Sequence, residues 1–184
     1  MDSQRIEKAV LELILAIGEN KNREGLDETP KRVAKAFEKL FGGYSMQPSQ
    51  FLTYFDSEDY DEMIIVKDIE FYSFCEHHML PFWGRAHIGY IPSKKILGLS
   101  KLPRLVEMYA RRLQNQERLT KQIAETLMEE LDPKGVGIVL EAKHFCMMAR
   151  GVEKQQSSAI TSTMLGIFRK NEKTRAEFLR LIGS

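Results

Sequence analysis

The apolar residues change their period near residue 62, and that change sets the kind of fold open to this chain. Before it the period is helical. Ile6, Val10, Leu11, Ile14 and Leu15 recur at three- and four-residue spacing, and Gly18 with the polar run Glu19-Asn20-Lys21-Asn22 ends that helix. Thr29-Pro30 predicts a second start, with Thr29 as N-cap and Pro30 at the first helical position. Its stripe is Val33, Ala34, Phe37 and Leu40, closed by Gly42-Gly43.

After residue 62 the pattern is that of short strands around a helix pair. Residues 63–66 are apolar and β-branched, residues 71–74 look extended, and Ala86, Ile88 and Tyr90 alternate with Arg85, His87 and Gly89. Ser100 is placed to cap a helix with Leu102, Leu105, Val106, Tyr109 and Leu113 on one face, and Asn115 to cap another carrying Leu119, Ile123, Leu127 and Leu131. Strands are predicted over 136–142, 145–149 and 159–168, and a last helix over 174–182. This order predicts an α+β fold, an antiparallel sheet with two helices on one face. The expected division is a helical region over 1–60 and a main domain over 61–184.

Composition excludes several functions. The 184 residues hold 27 Lys+Arg and 26 Asp+Glu, a net charge of +1, which is no bulk signature for nucleic acid. No apolar run approaches the roughly 20 residues of a membrane span. The start, MDSQRIEKAV, has acidic residues where a signal peptide needs a basic start and an apolar stretch. Two cysteines are too few for a disulfide scaffold, so a reducing cytoplasm is the expected context.

Those cysteines lie in the densest chemical segments. Cys75-Glu76-His77-His78 contains Cys-x-x-His, a spacing that lets a short loop aim both ligands at one ion. His144-Phe145-Cys146 holds the second; on a strand, residues two apart share a face. Cys75, His78 and Cys146 would give a metal three ligands and leave a fourth position to water, the catalytic type of zinc site. His77 and His144 would remain for proton transfer. Buried free thiols, or a Cys75–Cys146 disulfide, are the alternatives. His87, alone in a strand, reads as a structural histidine.

Basic residues cluster where an anion could bind. Ser100-Lys101-x-x-Arg104 opens a helix, Arg150 follows Cys146 by four residues, and Arg32 and Lys35 lie a turn apart on the second helix. Together they could hold a polyphosphate, although neither a P-loop nor a Rossmann glycine turn is present. Glu117, beside Gln116, could accept two donors from a guanine edge; an ordinary first-turn glutamate is the plainer reading.

Taken in order, Cys-Glu-His-His at 75–78, Gly-Tyr-Ile-Pro at 89–92, Gly-Leu-Ser-Lys at 98–101, Gln-Glu-Arg-Leu-Thr at 116–120 and His-x-Cys-x-x-x-Arg-Gly at 144–151 closely resemble the GTP cyclohydrolase I family. The match runs from about Glu28 onward, and Met148 departs from it, standing where some relatives carry lysine. The resemblance implies a tunnelling-fold (T-fold) subunit with a four-stranded antiparallel sheet, two helices on one face and an N-terminal helical extension. It implies a homodecamer with active sites shared between subunits. The implied reaction converts GTP and water to formate and 7,8-dihydroneopterin triphosphate, the entry to folate and tetrahydrobiopterin synthesis. Cys75, His78 and Cys146 match the Zn2+ ligands, and His77 the histidine that delivers a proton near N7. His144 and Ser100 match residues near the ribose, and Glu117 with Gln116 the guanine-recognition position. Lys101, Arg104 and Arg150, with Arg32 and Lys35 from a neighbouring subunit, match the triphosphate cradle. A T-fold enzyme acting on a pterin or 7-deazaguanine precursor, and a non-catalytic nucleotide- or metal-binding scaffold, are the competing readings.

Overall fold

A computed structural model of the chain describes residues 1–183. Its backbone falls into two compact units, Met1–Gly42 and Gly43–Ser184.

The first unit is three helices, α1 (Ser3–Ala16), α2 (Glu24–Asp27) and α3 (Thr29–Leu40). Asp2 caps α1, its carboxylate accepting from the Arg5 N–H at 3.0 Å. Thr29 does not cap α3 as expected. It is the first helical residue, because α2 runs up to it and its hydroxyl turns back to the Gly25 carbonyl at 3.2 Å. Phe37 and Phe41 close the unit edge to face, 4.9 Å between centroids.

The second unit contains β1 (Tyr54–Asp56), β2 (Ile64–Cys75), β3 (Pro81–Ile91), β4 (Lys95–Leu97), α4 (Lys101–Ala110), β5 (Leu113–Gln114), α5 (Gln116–Leu131), β6 (Gly135–His144), α6 (Phe145–Met148), β7 (Ala159–Gly166), α7 (Ile167–Lys170) and α8 (Glu172–Ile182). The main sheet has the order β5-β2-β3-β6-β7; β1 and β4 form a separate ribbon. The four long strands are antiparallel to their neighbours, as expected, and the two-residue β5 adds a fifth, parallel to the end of β2.

The extended pieces expected over 63–66 and 71–74 are one strand. A bulge between Val66 and Ile69, with Asp68 at φ 60°, carries β2 across the polar Lys67-Asp68. Residues 145–149 are not a strand. The β3–β6 ladder ends at Phe82↔His144, just inside the start of β3, and without a partner strand beyond it the chain coils into the helical turn α6.

Period two sorts β6 cleanly. Val136, Ile138, Leu140 and Ala142 face the core beneath α4 and α5, with Leu102, Leu105, Leu119, Ile123 and Leu127 fully buried opposite them. Asn115 caps α5 as expected, accepting from the Arg118 N–H at 2.8 Å, whereas Ser100 precedes α4 without a side-chain cap bond. The other face of the sheet carries a small second cluster, Val139 with Phe168 and Phe178. Those rings approach so closely because Gly89 and Gly137 present no Cβ; one added at Gly137 would meet Phe168 at 2.6 Å and Phe178 at 3.0 Å.

Candidate active site

The site begins where β2 ends. Cys75 is buried as the last strand residue, and the chain then reverses within five residues: the Cys75 N–H donates to the Leu80 carbonyl at 2.9 Å and the Met79 N–H to the Cys75 carbonyl at 2.8 Å. Met79 takes the left-handed conformation, φ 54°, that this tight reversal requires. The turn leaves His77 and His78 exposed, their rings edge to face at 6.3 Å.

Strand β6 and turn α6 supply the other half. Cys146 sits in α6, so it reaches the site from a helical turn and not from a strand face shared with His144. The Cys75 sulfur is 3.9 Å from His78 Nδ1, and the ligand atoms of Cys75, His78 and Cys146 all lie within 4.8 Å of one another, close enough to share one ion. Both cysteines are free thiols. Burial and the neighbouring Cys75 sulfur push the Cys146 thiol up, a cost that a bound cation would reverse. Arg150 stands behind the cluster, with Nη1 3.0 Å from Nε2 of His78.

His144 and Gln116 form a second, more buried group. The His144 ring lies flat on Phe82, centroids 4.6 Å apart and planes 2° from parallel. Its Nε2 is 2.8 Å from Gln116 Oε1. Burial lowers the His144 pKa from its ordinary value, opposed by the Glu117 carboxylate. Gln116 is 2% exposed, and its amide nitrogen donates to the carbonyls of Leu140 at 3.1 Å and Ala159 at 2.9 Å. Its side chain is therefore spent on holding His144, β6 and β7, and not turned outward like the exposed Glu117 beside it.

Among the described basic residues of the second unit, Arg150 is hydrogen-bonded to the Cys-His-Cys cluster, through His78. Ser100, Lys101 and Arg104 sit at the start of α4, whereas its far end leads into β5, which pairs with Cys75. Along the helix, Lys101 is nine residues and Arg104 six residues from Ala110, about 13 Å and 9 Å at 1.5 Å each. In the first unit, Arg32 donates to the Gly25 carbonyl at 2.8 Å and to Thr29 Oγ1 at 2.9 Å, and Lys35 is exposed.

Sequence reasoning missed Phe82, and it missed Glu76, which accepts from Asn115 Nδ2 at 3.1 Å and pairs with Arg118. Arg118 holds the Glu76 carboxyl below its ordinary value. Both residues lie inside the recognised motifs, so their opposite charges were the available signal. His87 is structural as expected, its Nδ1 accepting the Asp68 N–H of the β2 bulge at 3.2 Å.

The family model for GTP cyclohydrolase I matches residues 6–183. The chain belongs to the GTP cyclohydrolase I family. It is 57% identical to a GTP cyclohydrolase 1 of Campylobacter jejuni over 98% of this chain and 96% of that protein. It is 59% identical to the GTP cyclohydrolase 1 of Methylococcus capsulatus over 94% of each, and 55% identical to that of Thermobifida fusca over 99% of this chain and 89% of the relative. Among solved structures, the archaeosine synthase QueF-Like in its apo form aligns with a TM-score of 0.47 and 15% identity, over 56% of this chain and 93% of that one. The enzyme class expected from the ordered motifs is borne out by the GTP cyclohydrolase I match. Among the described residues no helix is long and apolar enough to cross a membrane.

Proposed function

We propose that the chain hydrolyses and rearranges GTP to 7,8-dihydroneopterin triphosphate and formate, with Zn2+ held by Cys75, His78 and Cys146. The observation that carries this is the convergence of two thiols and one imidazole from segments 71 positions apart. The donor set fits zinc: soft sulfur with one nitrogen, three protein ligands and an open side at the exposed His78. When bound, such an ion lowers the pKa of a water to about 7 and makes it a nucleophile at neutral pH.

The chain's own residues do the rest. His77, exposed beside His78, is free to deliver a proton to the purine nitrogen as the imidazole ring opens. His144, clamped between Phe82 and Gln116, holds one orientation, which suits proton handling at the ribose during rearrangement. Glu117 projects from the first turn of α5 and can accept two guanine donors. Arg150 supplies a cation next to the cluster for the triphosphate.

One chain does not complete the cradle. Ser100, Lys101 and Arg104 belong to the opening of α4, whose other end leads to the strand that pairs with Cys75, so we read a second copy as the source of the cations they represent, together with Arg32 and Lys35. This supports a shared-site homo-oligomer, with a decamer as the family expectation. A cytoplasmic location suits the free thiols.

The test is metal content and GTP turnover on one sample. Purified protein should carry zinc and release one formate per GTP, and lose both metal and turnover on chelation. Formate release undiminished by complete metal removal would reject the zinc-dependent reading.

A further inference from the structure

The two motifs that carry the chemistry are joined by an ion pair outside the metal cluster. Glu76 lies between Cys75 and His77. Its N–H donates to the Gln114 carbonyl at 2.9 Å, its Oε1 accepts from Asn115 Nδ2 at 3.1 Å, and its Oε2 accepts from Arg118 Nη2. Arg118 is fixed from behind: Nε donates to Gln114 Oε1 at 3.0 Å and Nη2 also reaches the Leu113 carbonyl at 3.3 Å. Gln114 is 1% exposed, and its own amide donates to the Tyr109 carbonyl at 3.0 Å and to Gln122 Oε1 at 2.8 Å. Arg118 therefore cannot swing away without breaking a buried network. Asn115, the other partner of Glu76, is also the cap of α5.

We propose that the Glu76–Arg118 pair is a positioning element: it fixes the turn bearing His77 and His78 at one separation from the α5 start bearing Gln116 and Glu117. The inference rests on the proposed GTP reaction, in which those two ends act on the same purine. The Glu76 and Arg118 side chains are 32% and 41% exposed, and ion pairs so placed add little to global stability. What this one adds is geometry. A guanidinium held at Nε by Gln114 offers its remaining donors in a fixed plane, so the carboxylate it binds is fixed too. Glu76 is covalently next to His77, and Arg118 is next to Glu117. Relaxing the pair lets the proton donor and the base-recognition group drift relative to each other, which costs turnover more than it costs binding.

The test compares wild type with Glu76→Gln, Arg118→Gln, Arg118→Lys and the double Glu76→Gln/Arg118→Gln variant, reading zinc per chain, melting temperature, and kcat and KM for formate release from GTP. The expected result is wild-type zinc content and melting, KM within a factor of about two, and kcat lower by about tenfold or more in either Gln variant. Arg118→Lys should recover part of the loss, since a lysine reaches Glu76 without keeping the Gln114 bond. The double variant should be no worse than the poorer single one, because both remove the same pair. Unchanged kcat, or zinc loss in proportion to activity, overturns the inference while the enzymatic reading stands. A wild-type protein that holds zinc but releases no formate overturns the enzymatic reading itself.

Discussion

Nε2 of His144 lies 2.8 Å from Oε1 of Gln116, and the same glutamine amide donates to the Leu140 and Ala159 carbonyls of β6 and β7. One buried side chain thus joins a sheet seam to a histidine proposed for chemistry. Replacing it with leucine strips the imidazole, the buried Leu140 carbonyl and the half-buried Ala159 carbonyl of this partner. Gln116→Leu should lose about 1–3 kcal/mol of stability. Its formate release should also fall, because the histidine keeps its Phe82 stack but loses its clamp. Urea unfolding and the formate assay check both; an unshifted transition contradicts the seam.

Cys146→Ser should lose zinc and ring opening together. A hydroxyl in place of a thiolate is a poor ligand for a soft site, and two remaining ligands do not hold the ion. His77→Ala should keep zinc and lose about 10²-fold or more in rate. Metal analysis beside turnover decides between roles: if His77→Ala is also metal-free, His77 is a ligand.

Glu117→Gln should weaken GTP selectively. The substitution keeps the side chain's size but replaces one acceptor with a donor that opposes a guanine N–H. Competition between GTP and ATP measures it; unaltered discrimination would remove Glu117 from base recognition.

His87 predicts a pH-dependent stability. Burial lowers its pKa below the ordinary 6.5, outweighing the attraction of Asp68 and Glu141, while Arg85 and Lys67 push the same way as burial. The folded state therefore binds fewer protons than the unfolded state just below pH 6.5. This contribution is complete above the unfolded value and declines as pH falls through 6.5 toward the folded one. Protonation would also cost the Nδ1 lone pair that accepts from the Asp68 N–H. Thermal melts from pH 7.5 to 5 should fall less steeply in His87→Gln than in wild type.

Gly137→Val should destabilise the chain by about 1–3 kcal/mol, since a side chain there has no room beneath Phe168 and Phe178. The denaturant midpoint reads the effect, and zinc content in the folded fraction should stay constant.

What was legible in the sequence was what local periodicity and short spacing encode. The stripes of α4 and α5, apart from Leu113, which lies in β5 beyond the end of α4, the Asn115 cap and the Cys75, His78 and Cys146 grouping all fall in that class. What was not legible depends on partners far along the chain. Residues 145–149 carry strand-like residues, but whether β6 continues is decided by where β3 begins, at Pro81. The bulge at Lys67-Asp68 hid one twelve-residue strand as two pieces. Gln116 looked like a substrate contact because nothing nearby reveals the carbonyls of Leu140 and Ala159, 24 and 43 positions away. Glu76 and Arg118 meet across 42 positions, which no local pattern reports.

The glycine strip beneath Phe178 bears on the order in which the molecule can be completed. Residues 167–182 follow every strand of the sheet along the chain, yet they supply Phe168 and Phe178, the aromatic cover of its second face. Until that cover docks, Val139 and the bare backbone around Gly89 and Gly137 face water. A chain cut short after residue 166 would hold a sheet sealed on one side only, and a chaperone that samples wet apolar surface would find its binding site there.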